Sequence, residues 1–376
     1  MNKKFGIIPV FVPMLGCPHR CVFCNQHVIT GRSVKEYQKD LEKQLGEALK
    51  TYYSKGQYEL AFYGGSFTCL SEDLQVSILN MAKPLIQEGK ISGIRVSTRP
   101  DAIHPGILEL LLRHHVSTIE LGIQSTDPLV LKESGRGHSR EDIYSAVAFI
   151  KQYPFHLGLQ MMIGLPGDTY AKSLQTVLDI ISLKPDFVRI YPTLVLKDSI
   201  LEKQYLKGQY IPLSLEQAVE WVKDLKMLFD YHCIPVIRIG LQANEGLDRG
   251  RDYLAGPYHP AFGELVENGI YLKVLYKMVE KLSASWDVKD SEALTKAKGE
   301  VKLYVPPHDL SKAIGQRRRN LLQLSKLFPD ADIDIKANST LEEGELMAET
   351  HQKSINFKKN LLLRELVEGI LEKTTN

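Results

Sequence analysis

The sequence predicts an α/β protein: a partial or full parallel (β/α) barrel, then a small α+β unit and a C-terminal helix. Three observations carry this. Short runs of β-type residues alternate with amphipathic helical stretches as far as about residue 239. Several of those runs are apolar at almost every position, as in strands covered on both faces. Polar clusters recur just past the ends of the runs, where α/β barrels collect their ligand-binding residues.

The strand candidates are 5–11, 59–63, 93–97, 117–123, 156–163, 187–191 and 235–239. Helical patterns occupy 34–51, 74–87, 105–114, 140–152, 170–183 and 215–231. Such alternation implies parallel strands joined by crossover helices. Periodicity alone does not separate a barrel from an open doubly wound sheet. The segment 241–258 carries Gly246, Gly250 and Gly256 among Asp248, Arg249, Arg251 and Asp252, and reads as a long functional or linking loop. Beyond it, 261–282 looks helical, 300–305 strand-like, 310–327 helical and 331–336 a short strand. From 341 the chain reads as mostly helical, with Leu363, Leu366, Val367, Ile370 and Leu371 at helical spacing. The expected division is a barrel domain with extension at 1–285, a basic α+β domain at 286–340 and a helical tail at 341–376.

Of 376 residues, 44% are hydrophobic and 24% charged, an ordinary globular mixture. The net charge of +2 (47 basic minus 45 acidic) gives no overall field for a polyanion, so nucleic-acid binding would need a local patch. The apolar run near the N-terminus is short and broken by Pro9 and Pro13, which fits a buried strand rather than a leader. No apolar stretch approaches the roughly 20 residues of a spanning helix. The expectation is a soluble, cytoplasmic protein with no membrane partner. Five cysteines, three of them within eight positions, make a poor disulfide framework and point to metal binding.

Those three stand in Gly16-Cys17-Pro18-His19-Arg20-Cys21-Val22-Phe23-Cys24, directly after the first strand. Soft thiolates at C-x3-C-x2-C spacing can wrap one corner of an iron–sulfur cubane, leaving one iron open. A zinc site completed by His19 or His27 satisfies the same motif. Cys69 and Cys233 are lone, and lone cysteines are mostly small buried hydrophobes.

Further blocks follow the strand ends: Tyr63-Gly64-Gly65-Ser66, Ser97-Thr98-Arg99-Pro100-Asp101, Glu120-Leu121-Gly122-Ile123-Gln124-Ser125, Arg136-Gly137-His138, Gln160 to Thr169, and Arg189-Ile190-Tyr191-Pro192. With the cysteine motif they resemble the radical S-adenosylmethionine (SAM) superfamily. They are most similar to the radical domain of the Elongator catalytic subunit, over roughly residues 5–265. The chain is too short for that family's acetyltransferase domain, and nothing after Pro260 shows its acetyl-coenzyme A motif. The resemblance therefore implies radical chemistry and not carboxymethylation. It implies a [4Fe–4S] cluster on Cys17, Cys21 and Cys24, SAM as second cofactor, and an electron donor such as ferredoxin or flavodoxin. It places Phe23 against the adenine and Gly64, Gly65 and Ser66 at the methionine amine. Ser97, Arg99, Gln124 and Ser125 would line the ribose and carboxylate side. Arg136 would grip the carboxylate, its alternative being a surface ion pair. Met162 and Gly164 would present backbone groups to the adenine.

After residue 300 a strand, a glycine-marked turn, a helix and a strand resemble half of a KH domain. KH domains clamp a nucleic-acid backbone with a G-x-x-G loop. Here the tetrapeptide is Gly315-Gln316-Arg317-Arg318, with arginine in place of the second glycine. Lys302, Lys312, Arg317, Arg318 and Arg319 against Asp309 give residues 302–319 a local charge of +4, by 5 minus 1. Lys312, Gly315 and Arg317–Arg319 are the candidate RNA contacts; a solvated basic helix start is the alternative. Three functions compete: a radical enzyme on RNA or tRNA, the same chemistry on a small molecule or peptide, and a non-catalytic iron–sulfur RNA-binding sensor.

Overall fold

The computed structural model describes residues 5–12, 17–25, 41, 43–47, 57–242, 245–284, 299–329 and 331–375. His27 and most of the helix expected at 34–51 lie outside them; residues 41 and 43–47 are helical. The chain forms two compact units, residues 1–214 with 234–258, and 215–233 with 259–376.

The first unit is a seven-stranded parallel sheet. Its strands are β1 (Phe5–Val12), β2 (Gln57–Gly64), β3 (Gly93–Thr98), β4 (Val116–Gln124), β5 (His156–Ile163) and β6 (Phe187–Pro192). A two-residue strand β7 (Val195–Leu196) lies outside the sheet, and β8 (Val236–Ile239) completes it. The order β1-β2-β3-β4-β5-β6-β8 never reverses. A doubly wound sheet needs a reversal to send helices to both faces. Right-handed crossovers running one way put every helix on one side, so the sheet curls into a half-barrel.

Strand parity sorts the residues. Leu60 and Phe62, Ile94 and Val96, Ile119, Leu121 and Ile123, and Leu157, Leu159, Met161 and Ile163 are buried at alternate positions. The positions between them include Glu59, Arg95, Glu120, Gln160 and Arg189. Apolarity on both faces, expected from the sequence, is thus limited to one face; the other carries a buried charge network. Caps fix where the crossover helices begin. Ser139 and Asp142 form a reciprocal capping box on Arg140–Ile150, and Thr169 accepts from the Lys172 amide at Tyr170–Leu183.

The expected loop at 241–258 holds a short helix, Glu245–Asp248, and β9 (Tyr253–Ala255), which pairs antiparallel with β7.

The second unit has a four-stranded sheet ordered β11-β10-β12-β13: β10 (Gly299–Val305), β11 (Ala331–Ala337), β12 (Glu345–Glu349) and β13 (Ser354–Lys358). The first two are parallel, and β12 runs antiparallel to both β10 and β13. Tyr271, Leu275, Met278, Leu303, Leu324 and Leu346 anchor its core. Two expectations change here. The helix expected at 310–327 breaks at Gly315 into Leu310–Ile314 and Arg319–Leu327, because Arg317 and Arg318 take left-handed backbone, φ 52° and 58°. The chain after 341 is not mostly helical: the β12–β13 hairpin precedes the helix Lys359–Thr375. The hairpin shows in the alternation of Leu346 with Ala348 and of Ile355 with Phe357, although glutamate, leucine, methionine and alanine are strong helix formers.

No described helix is long and apolar enough to cross a membrane.

Candidate active site

The C-terminal ends of β1 to β5 surround a cavity of about 480 Å³. Cys17, Cys21, Phe23 and Cys24 form one wall, reached from β1. From β2 come Gly64, Gly65 and Ser66; from β3, Ser97, Thr98 and Arg99; from β4, Gly122, Gln124 and, beyond it, Arg136. Most of the sequence candidates for the cluster and SAM therefore meet at one place, although they span 120 residues (from Cys17 to Arg136).

The cysteine loop is clamped at both ends. The Val22 amide donates to Ser134 O (3.0 Å), the Leu201 amide donates to Val22 O (2.8 Å), and the Asn25 amide group donates to Lys197 O. Two of the three thiols are held up by their surroundings. Burial pushes Cys24 up to about 12, with the Cys21 and Cys17 charges adding to it. Burial also raises Cys17, against a backbone hydrogen bond from Ser66. Metal binding would compensate for the burial, because a ligand thiol must be deprotonated. Among the described residues no three histidine, cysteine or acidic side chains converge on a single-ion point. The thiols instead share one cavity wall, and such a row of three would suit a cubane, holding it by three thiolates.

Two features fit SAM. Gln124 is buried, holds a left-handed φ of 65° that a non-glycine residue avoids, and leaves Oε1 without a partner among the described residues. Such an acceptor suits a hydroxyl donor. At Gly122 a Cβ would stand 2.8 Å from Gln124 Nε2, so only glycine leaves that side chain in place. Gly64 has a second reason for being glycine: its φ is 113°, and a Cβ would stand 2.3 Å from Val12 O on β1.

Other candidates are already engaged. Ser66 Oγ bonds Thr98 Oγ1 (2.9 Å), accepts from the Arg99 amide (3.1 Å) and from Cys69 Sγ (3.2 Å). Its backbone is engaged as well, donating to the Cys17 thiol and accepting from the Cys69 amide (3.2 Å). Arg99 makes a bidentate pair with Asp101 (2.9 and 3.0 Å). Ser125, Met162 and Gly164 do not line the cavity. Ser125 Oγ accepts from the Asp127 amide, and the Gly164 peptide donates to Asp168 (2.8 Å) and accepts from Tyr210 (2.6 Å). Cys233 is exposed rather than a buried hydrophobe.

The residues 11–180 match the model of the radical SAM superfamily, and 185–271 match that of the radical SAM C-terminal domain. This chain belongs to the radical SAM superfamily. Its cofactors are a [4Fe–4S] cluster and SAM, and it is an enzyme of that class. An uncharacterised protein of Methanocaldococcus jannaschii is 27% identical over 258 residues, 63% of this chain and 75% of that one. A tRNA uridine(34) acetyltransferase of Dehalococcoides mccartyi is 26% identical over 272 residues, 62% of this chain and 58% of that one. The fold matches Elp3 of Methanocaldococcus infernus lacking residues 1–46, with TM-score 0.55 and 20% identity, over 75% of this chain and 64% of that one.

Sequence reasoning placed Gln160 in a strand-end block but gave it no role, and it lines the cavity from β5. Parity would have found it, since Gln160 interrupts an apolar strand on the same face as Glu120. Gln160 Nε2 donates to Glu120 Oε2 (2.6 Å). Glu120 also receives Arg95 Nη1 (2.7 Å), Arg189 Nη2 (2.9 Å) and Tyr63 OH (2.9 Å). Burial alone would raise the Glu120 pKa, but Arg189 and Arg95 outweigh it and hold the carboxyl low. Tyr63, Arg95 and Arg189 face a second cavity, of about 970 Å³. The network thus floors the cofactor cavity.

His138, beside this site, is buried, with its Nε2 3.3 Å from Ile123 O. Burial, then the Arg136 and Arg99 charges, lowers its pKa from 6.5 to about 3. The unfolded chain binds the proton first, so stability present above pH 6.5 is lost as pH falls from there toward 3. Between pH 6.5 and 5 the loss is about 2 kcal/mol, at about 1.4 kcal/mol per unit. Urea unfolding at these two pH values is expected to show that much less pH dependence in His138→Gln than in the parent. Equal pH dependence would mean that the ring titrates normally.

Proposed function

We propose that this radical SAM enzyme modifies an RNA, with tRNA the first candidate. The observation that carries it is the Gly315–Arg319 turn. Gly315 has φ 75°, and the two left-handed arginines that follow hold a conformation a glycine would adopt at less cost. Buried Asn320 holds the turn from within, donating Nδ2 to Asn268 O (2.7 Å) and Ala313 O (3.1 Å). Arg317, Arg318 and Arg319 are exposed and make no ion pair among the described residues. Lys312 and Lys302, by contrast, face Asp309 (3.6 Å) and Glu300 (2.9 Å). Three unspent guanidiniums on a pinned turn suit phosphates. The tRNA-modifying name of one relative agrees with this reading.

At the cavity, Cys17, Cys21 and Cys24 hold the cluster in this reading. Phe23 packs against the adenine, Gly64 and Gly65 leave room for the methionine amine, and Gln124 accepts from a ribose hydroxyl. When bound, the cluster supplies the electron that cleaves the SAM sulfonium bond to a 5′-deoxyadenosyl radical. The protein contributes orientation and exclusion of water. A ferredoxin- or flavodoxin-type donor reduces it.

The test is RNA affinity across a salt series for the parent and an Arg317→Ala, Arg318→Ala, Arg319→Ala triple variant, with tRNA and with total RNA. The triple variant is expected to bind more weakly, with a log–log salt slope flatter by about two to three units, at about 0.7–0.9 per phosphate contact. Weak, salt-insensitive binding by both proteins would shift the substrate to a small molecule or peptide.

A further inference from the structure

We propose that Arg136 is a redox-positioning residue: it donates a hydrogen bond to the Cys21 sulfur and, with its unneutralised charge, raises the reduction potential of the cluster. This rests on reading Cys17, Cys21 and Cys24 as the ligands.

Arg136 is 7% exposed. Its Nη1 lies 3.1 Å from Cys21 Sγ, and its Nη2 donates to Gly122 O. Nε is buried with no partner among the described residues. No carboxylate pairs with it among the described residues. The surface ion pair considered from the sequence is therefore not what holds it. Arg99, the other guanidinium beside the thiols, is spent on Asp101. A buried charge without a counter-charge is costly. The charge set that would compensate Arg136 is the thiolates of the loaded site.

The contact is built into the backbone. Arg136 stands between Gly135 (φ 64°) and Gly137 (φ 72°), and each glycine admits part of the cysteine loop. A Cβ on Gly135 would stand 3.0 Å from Arg20 O, and one on Gly137 would stand 2.4 Å from the His19 ring. The Val22 amide donates to Ser134 O (3.0 Å), and Arg99 Nη2 donates to Arg136 O. Residues 134–137 and 19–22 therefore lie backbone to backbone, with the guanidinium aimed at the middle cysteine.

Reduction adds one electron to the cluster and breaks no bond; an external one-electron reductant, dithionite or a flavodoxin-type protein, is oxidised by one electron. A cation and an N–H···S bond stabilise the added negative charge, so both raise the potential. A bidentate grip on the SAM carboxylate would call on the same η nitrogens, which are here engaged with Cys21 and Gly122.

The experiment is an EPR-monitored potentiometric titration of the full-length reconstituted protein without SAM, for parent, Arg136→Gln and Arg136→Lys. SAM affinity and iron content are measured on the same samples. In Arg136→Gln the ratio of reduced to oxidised cluster at a fixed poise is expected to fall about tenfold, a drop of about 59 mV for one electron. Arg136→Lys, which keeps the charge, is expected to lie between. An unchanged potential with weakened SAM binding would overturn the proposal in favour of the carboxylate grip. Loss of iron from both variants would overturn it in favour of a purely structural role. A parent that binds no iron would instead refute the ligand reading beneath it.

Discussion

Alanine at Cys17, Cys21 or Cys24 is expected to lower iron from about four per reconstituted chain to near zero and to abolish release of 5′-deoxyadenosine from SAM. Three thiols are all the protein offers a cubane in this reading, so losing one leaves two irons without a protein ligand. The cavity wall that carries the three thiols has no further cysteine among the described residues. Cys69 is nearest in chemistry: it is half-buried, and its thiol donates to Ser66 Oγ (3.2 Å). Its pKa is raised by burial, with the Cys17 charge adding to it. Cys69→Ala and Cys233→Ala are expected to keep parental iron and activity. The measurement is anaerobic iron and sulfide analysis beside product release under one reductant. Iron lost from Cys69→Ala, or kept in Cys21→Ala, would show that the ligand set is misassigned.

The parallel α/β architecture was readable from sequence because short β-type runs, among them the one holding Leu157, Leu159, Met161 and Ile163, alternate with amphipathic helical stretches. The inward face was not. Glu59, Arg95, Glu120 and Arg189 are spread over 130 residues, and only strand order makes them neighbours. The site candidates at Cys17–Cys24, Gly64–Ser66, Arg99, Gln124 and Arg136 were readable for a topological reason. A parallel sheet wound in one direction delivers the end of every strand to one rim. Met162 and Gly164 follow the same rule but stand off the cavity, because Asp168 and Tyr210 close around the Gly164 peptide. Gln160, two residues earlier, takes the place facing it. In the second unit, residue types at 345–349 favour a helix locally, and pairing with β10 and β13 overrides them.

Glu120→Ala is expected to be the most destabilising single substitution in the sheet, costing about 3–5 kcal/mol. The carboxylate is fully buried and accepts from four side chains. Arg95 would keep Glu59, which receives its Nε at 2.8 Å. Arg189 would keep the Tyr63 hydroxyl (2.7 Å) and its bond to Tyr191, and its charge would stay buried with no carboxylate beside it among the described residues. That leftover cation, more than the lost bonds, sets the cost. Removing it as well is therefore expected to return part of the loss. A Glu120→Met, Arg189→Met double variant is expected to be less destabilised than the sum of its two singles, by about 0.5–3 kcal/mol, the range for residues in one network. Loss of Glu120 also frees the Gln160 amide at the floor of the cavity, so SAM affinity is expected to fall in Glu120→Ala while iron content holds. Denaturant unfolding of the four variants (Glu120→Ala, the two methionine singles and their double) measures the first effect, and equilibrium SAM binding of Glu120→Ala the second. A single-variant loss under about 1 kcal/mol, with additive singles, would mean that water reaches these charges and that the floor is not sealed.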